Sequence, residues 1–296
     1  MAKKKKTDYS ALIATADTGT SMAESKPLRH MKLQAFPGGG KSHFSLSFFD
    51  HEMKTAGLKP EEGLMTIIDC DLEGQRDLVA RDDILSPELR PRLYRKVCRT
   101  PEEVNQMVLA FIDLHRQHAE QYPDGVRVMC MENEGAYYLA CRDYYSIEVH
   151  GKSEAEQLLS RQAQAISEGK KTLPMFAEGQ MHSYKVINKM FFQPYERLKV
   201  GAEIYKYHFI STVLLKSYTE GYGTANENRV VAAAGRADLT DPLFDWIIEL
   251  TQQQRTVKGE LKTRHISEIR KSRTCKPFRI ENPTQEKFWN AVKKQS

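Results

Sequence analysis

Residues 35–49 read AFPGGGKSHFSLSFF. Three glycines free the backbone, and a lysine and a hydroxyl follow at once. Just upstream, KLQAF is a short apolar run from Lys32 that predicts a strand ending at Pro37. Downstream, apolar positions 44, 46, 48, 49 and 53, closed by Gly57, predict a helix with a glycine stop. A bare turn between a strand and a helix lets successive N–H groups point into one concavity, and the helix adds its positive dipole end. Lys41 then suits the outer phosphates of a nucleotide, and Ser42 suits Mg²⁺. Ala35-x4-Gly40-Lys41-Ser42 fits the phosphate-loop pattern, so Pro37, Gly38, Gly39, Gly40, Lys41, Ser42 and His43 are the expected nucleotide-binding residues, with ATP and Mg²⁺ as ligands.

The pattern continues outward from the loop. GLMTIIDCD and VRVMCMENEG are dense apolar runs that predict buried strands, and RLYRKVCR predicts another. PEEVNQMVLAFIDLHRQHAEQY predicts a helix with proline at its first position. EIYKYHFISTVLLKS and RVVAAAGR are further strands, and HSYKVINKMFFQPYERLKVGA is a helix or helix pair. DPLFDWIIELTQQQ reads as an amphipathic helix, RTVKGELKTRHISEIRKSR as a hairpin, and PTQEKFWNAVKKQ as a closing helix. Strands alternating with helices predict an α/β fold with a mostly parallel central sheet flanked by helices. The domain plan is a basic flexible arm at 1–28, a main domain at 29–282 with a helical excursion at about 137–180, and a C-terminal helix at 283–296.

A nucleotide-bound Mg²⁺ needs acids at the tips of strands near the loop, because hydrolysis requires an ordered metal and a polarised water. Two tips supply them: Asp69, Asp71 and Glu73 after one apolar run, Glu132 and Glu134 after the other.

On these residues the chain resembles the RecA-like P-loop ATPases, and most the single-domain RecA-like ATPases of phages and mobile elements that act in DNA recombination or replication. The resemblance spans about Met31 to Asn282. It implies a water-polarising carboxylate at Asp71 with Glu73 behind it, and a metal-holding acid at Glu132 beside Ser42. The family has aspartate at that second place, and the longer glutamate side chain bears on hydrolysis more than on binding. The resemblance further implies a γ-phosphate sensor on FISTVLLKS, at Ser211 or Thr212, although the usual long amide is absent. In EIRKSRTCKPFR it implies two cations, Lys271 and Arg273, that reach the nucleotide of a neighbouring subunit and stabilise the transferring phosphoryl group. The expected partners are therefore DNA, single-stranded for preference, and copies of the chain in a ring or filament.

Charge distribution agrees with an anionic partner. The formal net charge is +5, but residues 255–296 carry twelve Lys or Arg against four acids, so the excess lies at the C-terminal end. Lys3 to Lys6 form a second basic cluster. No run approaches the roughly 18 apolar residues of a membrane helix, and the N-terminus lacks a secretory pattern, so the expected location is cytoplasmic, the host's if the source is viral. Cys70, Cys98, Cys130, Cys141 and Cys275 form no CxxC pair and read as reduced, idle thiols. The histidines lack zinc-ligand spacing, and the aromatics at 184, 191, 192 and 195 read as core rather than as a base-stacking stripe.

Two other functions share the loop. A nucleotide-dependent assembly or regulatory switch with little turnover is favoured by the glutamate at 132. A small-molecule kinase needs an arginine-rich lid, and the 142–161 stretch holds only Arg142 and Arg161.

Overall fold

The apolar runs either side of the glycine loop become neighbours in one sheet. The computed structural model describes residues 28–70, 79–169, 181–220, 228–234, 236–257, 260–273 and 275–295. In chain order its elements are β1 (His30–Ala35), α1 (Lys41–Ala56), β2 (Gly63–Asp69), β3 (Leu93–Val97), α2 (Pro101–Gln121), β4 (Val126–Glu132), α3 (Glu134–His150), α4 (Glu154–Ser167) and α5 (Met181–Tyr205). There follow β5 (His208–Glu220), β6 (Asn228–Ala233), the single turn α6 (Ala237–Thr240), β7 (Trp246–Val257), β8 (Glu260–Ser272), β9 (Arg279–Glu281) and α7 (Gln285–Gln295).

The strands lie in the order β3-β2-β4-β5-β1-β7-β8-β9, with β6 on the extension of β5. From β3 to β7 every pairing is parallel. The pairs β7–β8, β8–β9 and β5–β6 are antiparallel. Parallel strands are covered on both faces, which is why β2 and β4 are buried at every position and read as unbroken apolar runs. The result is a mixed α/β protein in which helices flank a mostly parallel sheet.

Two cores form, one per face. On the first, Phe44, Phe48 and Phe49 of α1 and Phe288 of α7 pack on Met31, Leu33 and Ile67. The rings of Phe44 and Phe288 meet edge to face at 5.5 Å, so the closing helix is fastened to the helix that follows the loop. On the second, α2, α3 and α5 bring Val108, Tyr137 and Phe191 against Met129 and Phe209. Phe191 and Tyr195 are fully buried, as a core role requires, and Tyr184 and Phe192 are half-buried.

Local signals act where they stand. Gly57 ends α1 with φ +63°, and its N–H reaches the Lys54 carbonyl. Thr100 caps α2 in a reciprocal box with Glu103, with Pro101 at the first position. Within the excursion expected at about 137–180, the described residues form α3, which begins at Glu134, and α4, and residues 170–180 lie outside the described residues. Of the arm expected at 1–28, residues 1–27 lie outside the described residues.

One element is corrected. Asp241–Gln254 is not a helix: after a short turn the chain enters β7 at Trp246 and runs extended to Val257. Trp246, Ile247, Ile248 and Leu250 are all buried, and β1 pairs with them in parallel from Met31↔Trp246 to Ala35↔Leu250. Adjacent β-branched residues covered on both faces favour a strand, and the helical spacing of the same run gives way to that packing. The expected hairpin is present, but its first arm is thus an interior strand. A second boundary also moves: Glu203–Tyr205 continue α5, and Lys206 at φ +55° turns the chain into β5.

Candidate functional site

β1 ends at Ala35 at the centre of the sheet, and the chain turns over Phe36–Gly40 into α1 at the carboxyl ends of the parallel strands, the side on which open α/β sheets bind ligands. Each glycine is favoured, for one of two reasons. Gly38 (φ +74°) and Gly40 (φ +90°) occupy the left-handed region. At Gly39 a Cβ would lie 2.6 Å from the Ala35 Cβ, 3.0 Å from the Phe36 carbonyl oxygen and 3.2 Å from that of Leu250. The Gly39 N–H donates to Phe36 O at 3.0 Å and closes the turn. Helix α1 then starts on Gly40 with no side-chain cap and no acid in its first turn. Its leading N–H groups and dipole end therefore face the cleft as donors for an anion.

Ser42, in the first turn of α1, donates to Glu132 Oε2 at 3.1 Å, across 90 residues of sequence. Glu132 is the last residue of β4, only 6% exposed, and its register partner on β2 is Asp69. The two backbones are thus about 5 Å apart at neighbouring strand tips. Both carboxylates, behind a larger effect of burial, push the Cys130 thiol beneath them well up. Asp69, 1% exposed, accepts from Arg95 Nε at 2.9 Å and again from that guanidinium. Hydroxyl and carboxylate at this separation form a donor set of hard oxygens, the set that Mg²⁺ takes alongside nucleotide phosphates. The cradle, the uncapped helix start and the Ser42–Glu132 pair fit a magnesium-bound polyphosphate.

The cleft beside the loop has a volume of about 420 Å³ and is walled by residues 38–43 together with Arg81, Gln252 and His265. Lys41 and His43 line this cleft, and Pro37 lines an adjoining depression with Gly39 and Gln252. Desolvation first, and then the Arg81 charge, lower the proton affinity of His43, with Asp83 opposing. The cleft runs on, through Gly39, Gly40, His43 and His265, into a groove of about 520 Å³ between α1, β8 and the start of α7.

The other expected site residues are distributed differently. Asp71 and Glu73 lie outside the described residues. Thr212 falls in the row beside Glu132, but it is 1% exposed and its hydroxyl accepts the Asn133 N–H at 3.0 Å. Ser211 points to the opposite face and donates to Glu134 at 3.3 Å. Lys271 and Arg273 sit at the amino-terminal end of the parallel strands: Lys271 pairs with Ile247, which pairs with Lys32. From Met31 to Ala35 the sheet alone separates that end from the loop by roughly 13 Å. There Lys271 Nζ donates to the Asp241 carbonyl at 3.0 Å, and Arg273 pairs with Asp245 at 3.2 Å. The structure does not bring these two cations to this chain's own loop.

Three features had no sequence signal. Arg81, Gln252 and His265 reach the mouth only through tertiary folding. Glu134, grouped with Glu132 from sequence, is turned away by Asn133 (φ +59°) to the other face of the sheet. There it meets Lys32 of β1, and both side chains are 0% exposed at 3.3 Å. Lys32 Nζ also reaches Thr240 Oγ1 and Asp241 Oδ1, each at 2.6 Å, and lies 5.3 Å from the Phe244 ring centroid. A lysine in the middle of the strand that feeds the loop is thus held by a buried ionic cluster.

Among the described residues no helix is long and apolar enough to cross a membrane. No protein-family model matches the chain, and no curated protein matches it.

Proposed function

We propose that the chain is a RecA-like protein that binds and hydrolyses ATP and acts with DNA in recombination, annealing or replication, with hydrolysis completed by a neighbouring copy. The observation that carries the reading is the contact of Ser42 with Glu132 at 3.1 Å, directly beside a loop in which Gly39 has no room for a side chain and Gly38 and Gly40 adopt backbone conformations that strain one.

In this reading the N–H groups of residues 38–43 bind the phosphates, and Lys41 neutralises their outer charge. Ser42 and Glu132 would hold Mg²⁺, which offsets the charge that develops on the transferring group. Asp71 and Glu73 polarise the attacking water. The strand order supports the reading: β1 is flanked by β5 and β7, and β4 with its acid lies one strand away, within reach of α1. Lys271 and Arg273 lie away from their own loop, and the reading assigns them to the nucleotide of a second copy. The basic 255–296 segment is the surface offered to DNA, although Arg264 and Arg270 already pair with Glu281 and Glu249.

A second reading, a nucleotide switch with little turnover, draws on Asp69. That acid lies next to Glu132 but is committed to Arg95, and the metal-holding acid is the longer glutamate.

Phosphate release by wild type and Lys41→Ala, with and without single-stranded DNA and across a protein concentration series, separates the two. Turnover that rises with DNA and with protein concentration, and is abolished in Lys41→Ala, supports the ATPase. Tight nucleotide binding without release under every condition selects the switch.

A further inference from the structure

The cleft beside the loop is lined by a further cation with no role in the proposed phosphate and metal contacts. Arg81 lines the cleft of about 420 Å³ together with Lys41 and Ser42. It is carried on the segment that packs Ile84 and Leu85 into the core under α1, so its backbone is anchored. Its guanidinium faces Asp83, with Nε 3.0 Å from Oδ1 and a second contact to Oδ2. The pair with Asp83 is exposed, with side chains 53% and 64% accessible, and ion pairs so open are weak and exchangeable.

Resting on the reading of the loop as a nucleotide cradle, we propose that Arg81 is a phosphate-contacting residue supplied by the same chain, parked on Asp83 and transferred to the terminal phosphate of a bound triphosphate. A planar guanidinium that grips a carboxylate through two N–H groups can grip a phosphate in the same way, and the phosphate carries more charge. The exchange needs rotation of one side chain within one cleft. It also makes the site selective for the triphosphate: a diphosphate lacks the group that draws Arg81 from Asp83.

The test is calorimetric titration of the full chain with a non-hydrolysable ATP analogue and with ADP, each with Mg²⁺. Wild type, Lys41→Ala, Arg81→Ala, Asp83→Ala and the double variant are compared, with folding checked by near-ultraviolet circular dichroism. Arg81→Ala is expected to weaken the triphosphate at least tenfold and the diphosphate less than threefold. Asp83→Ala is expected to tighten the triphosphate by releasing Arg81, and the double variant to behave as Arg81→Ala. An ion pair that serves only the surface leaves the triphosphate-to-diphosphate ratio unchanged in all three. That result, with wild type binding and Lys41→Ala not, overturns the role of Arg81 alone. Absence of binding by folded wild type overturns the cradle and this inference together.

Discussion

Substituting Lys32 by methionine removes a buried cation from a cluster in which Glu134 is fully buried. Methionine matches the lysine stem in length, so the loss is the ammonium, with contacts that include those at 2.6, 2.6 and 3.3 Å. Removing one partner of a buried pair costs about 3–5 kcal/mol, because the remaining charge keeps its desolvation penalty. Asp241, 36% exposed, can turn to water, but Glu134 cannot. Burial already raises the Glu134 pKa, with Lys32 as the largest opposing influence, so the variant carboxyl rises further and takes up a proton in the folded state. A carboxyl whose folded pKa is raised binds protons that the unfolded chain releases, so the variant loses stability as pH rises from the unfolded value towards the folded one. Between pH 5 and 7 that span corresponds to at most about 2.7 kcal/mol. Urea unfolding of wild type and Lys32→Met at both pH values checks this. The gap between the two proteins should be wider at pH 7 than at pH 5, and Lys32→Met/Glu134→Gln should recover most of it. A gap under about 1 kcal/mol, or one identical at both pH values, refutes the assignment of a buried charged pair.

Three further outcomes follow from the geometry. Gly39→Ala forces a methyl group against Ala35 and two carbonyl oxygens, so nucleotide affinity should drop at least tenfold in titration while far-ultraviolet circular dichroism is unchanged. Glu132→Gln keeps the hydrogen bond from Ser42 but removes the charge; nucleotide binding should survive within a few-fold, and phosphate release should fall at least tenfold. His30 is 2% exposed, and burial, seconded by Lys199, lowers its pKa to about 4 from 6.5. The folded chain keeps it neutral while the unfolded chain protonates below pH 6.5, so its contribution of about 3 kcal/mol is complete above 6.5 and is lost as pH falls towards 4. His115 and His118 are shifted in the same direction, and thermal unfolding across that window should show a steep fall in the midpoint.

What was legible in the sequence was what local rules dictate. The loop needs its glycines for backbone reasons that involve few neighbours, and β2 and β4 announce themselves as apolar runs because both faces are covered. Gly57, Pro101 and Thr100 mark helix ends through their own hydrogen bonds. What was illegible depends on the opposite face or on distant chain. WIIEL satisfies helix and strand spacing alike, and only pairing with β1 decides for the strand. A single lysine in HMKLQA looks like a solvated residue until Glu134 and Asp241 arrive from 102 and 209 positions away. Arg81 sits in RDLVARDDILSP without periodicity, and its place at the mouth comes from packing of Ile84 and Leu85. Glu132 and Glu134 look equivalent two residues apart, yet the left-handed turn at Asn133 sends them to opposite faces.

The proposed function depends on the loop from Gly38 to Ser42 as a polyphosphate cradle, and titration of Mg-ATP into wild type and Lys41→Ala tests it most directly. One nucleotide bound per chain, with affinity lost at least tenfold on removing the lysine amine, is the expected result. Equal heats for the two proteins, or none from a folded wild type, contradict it.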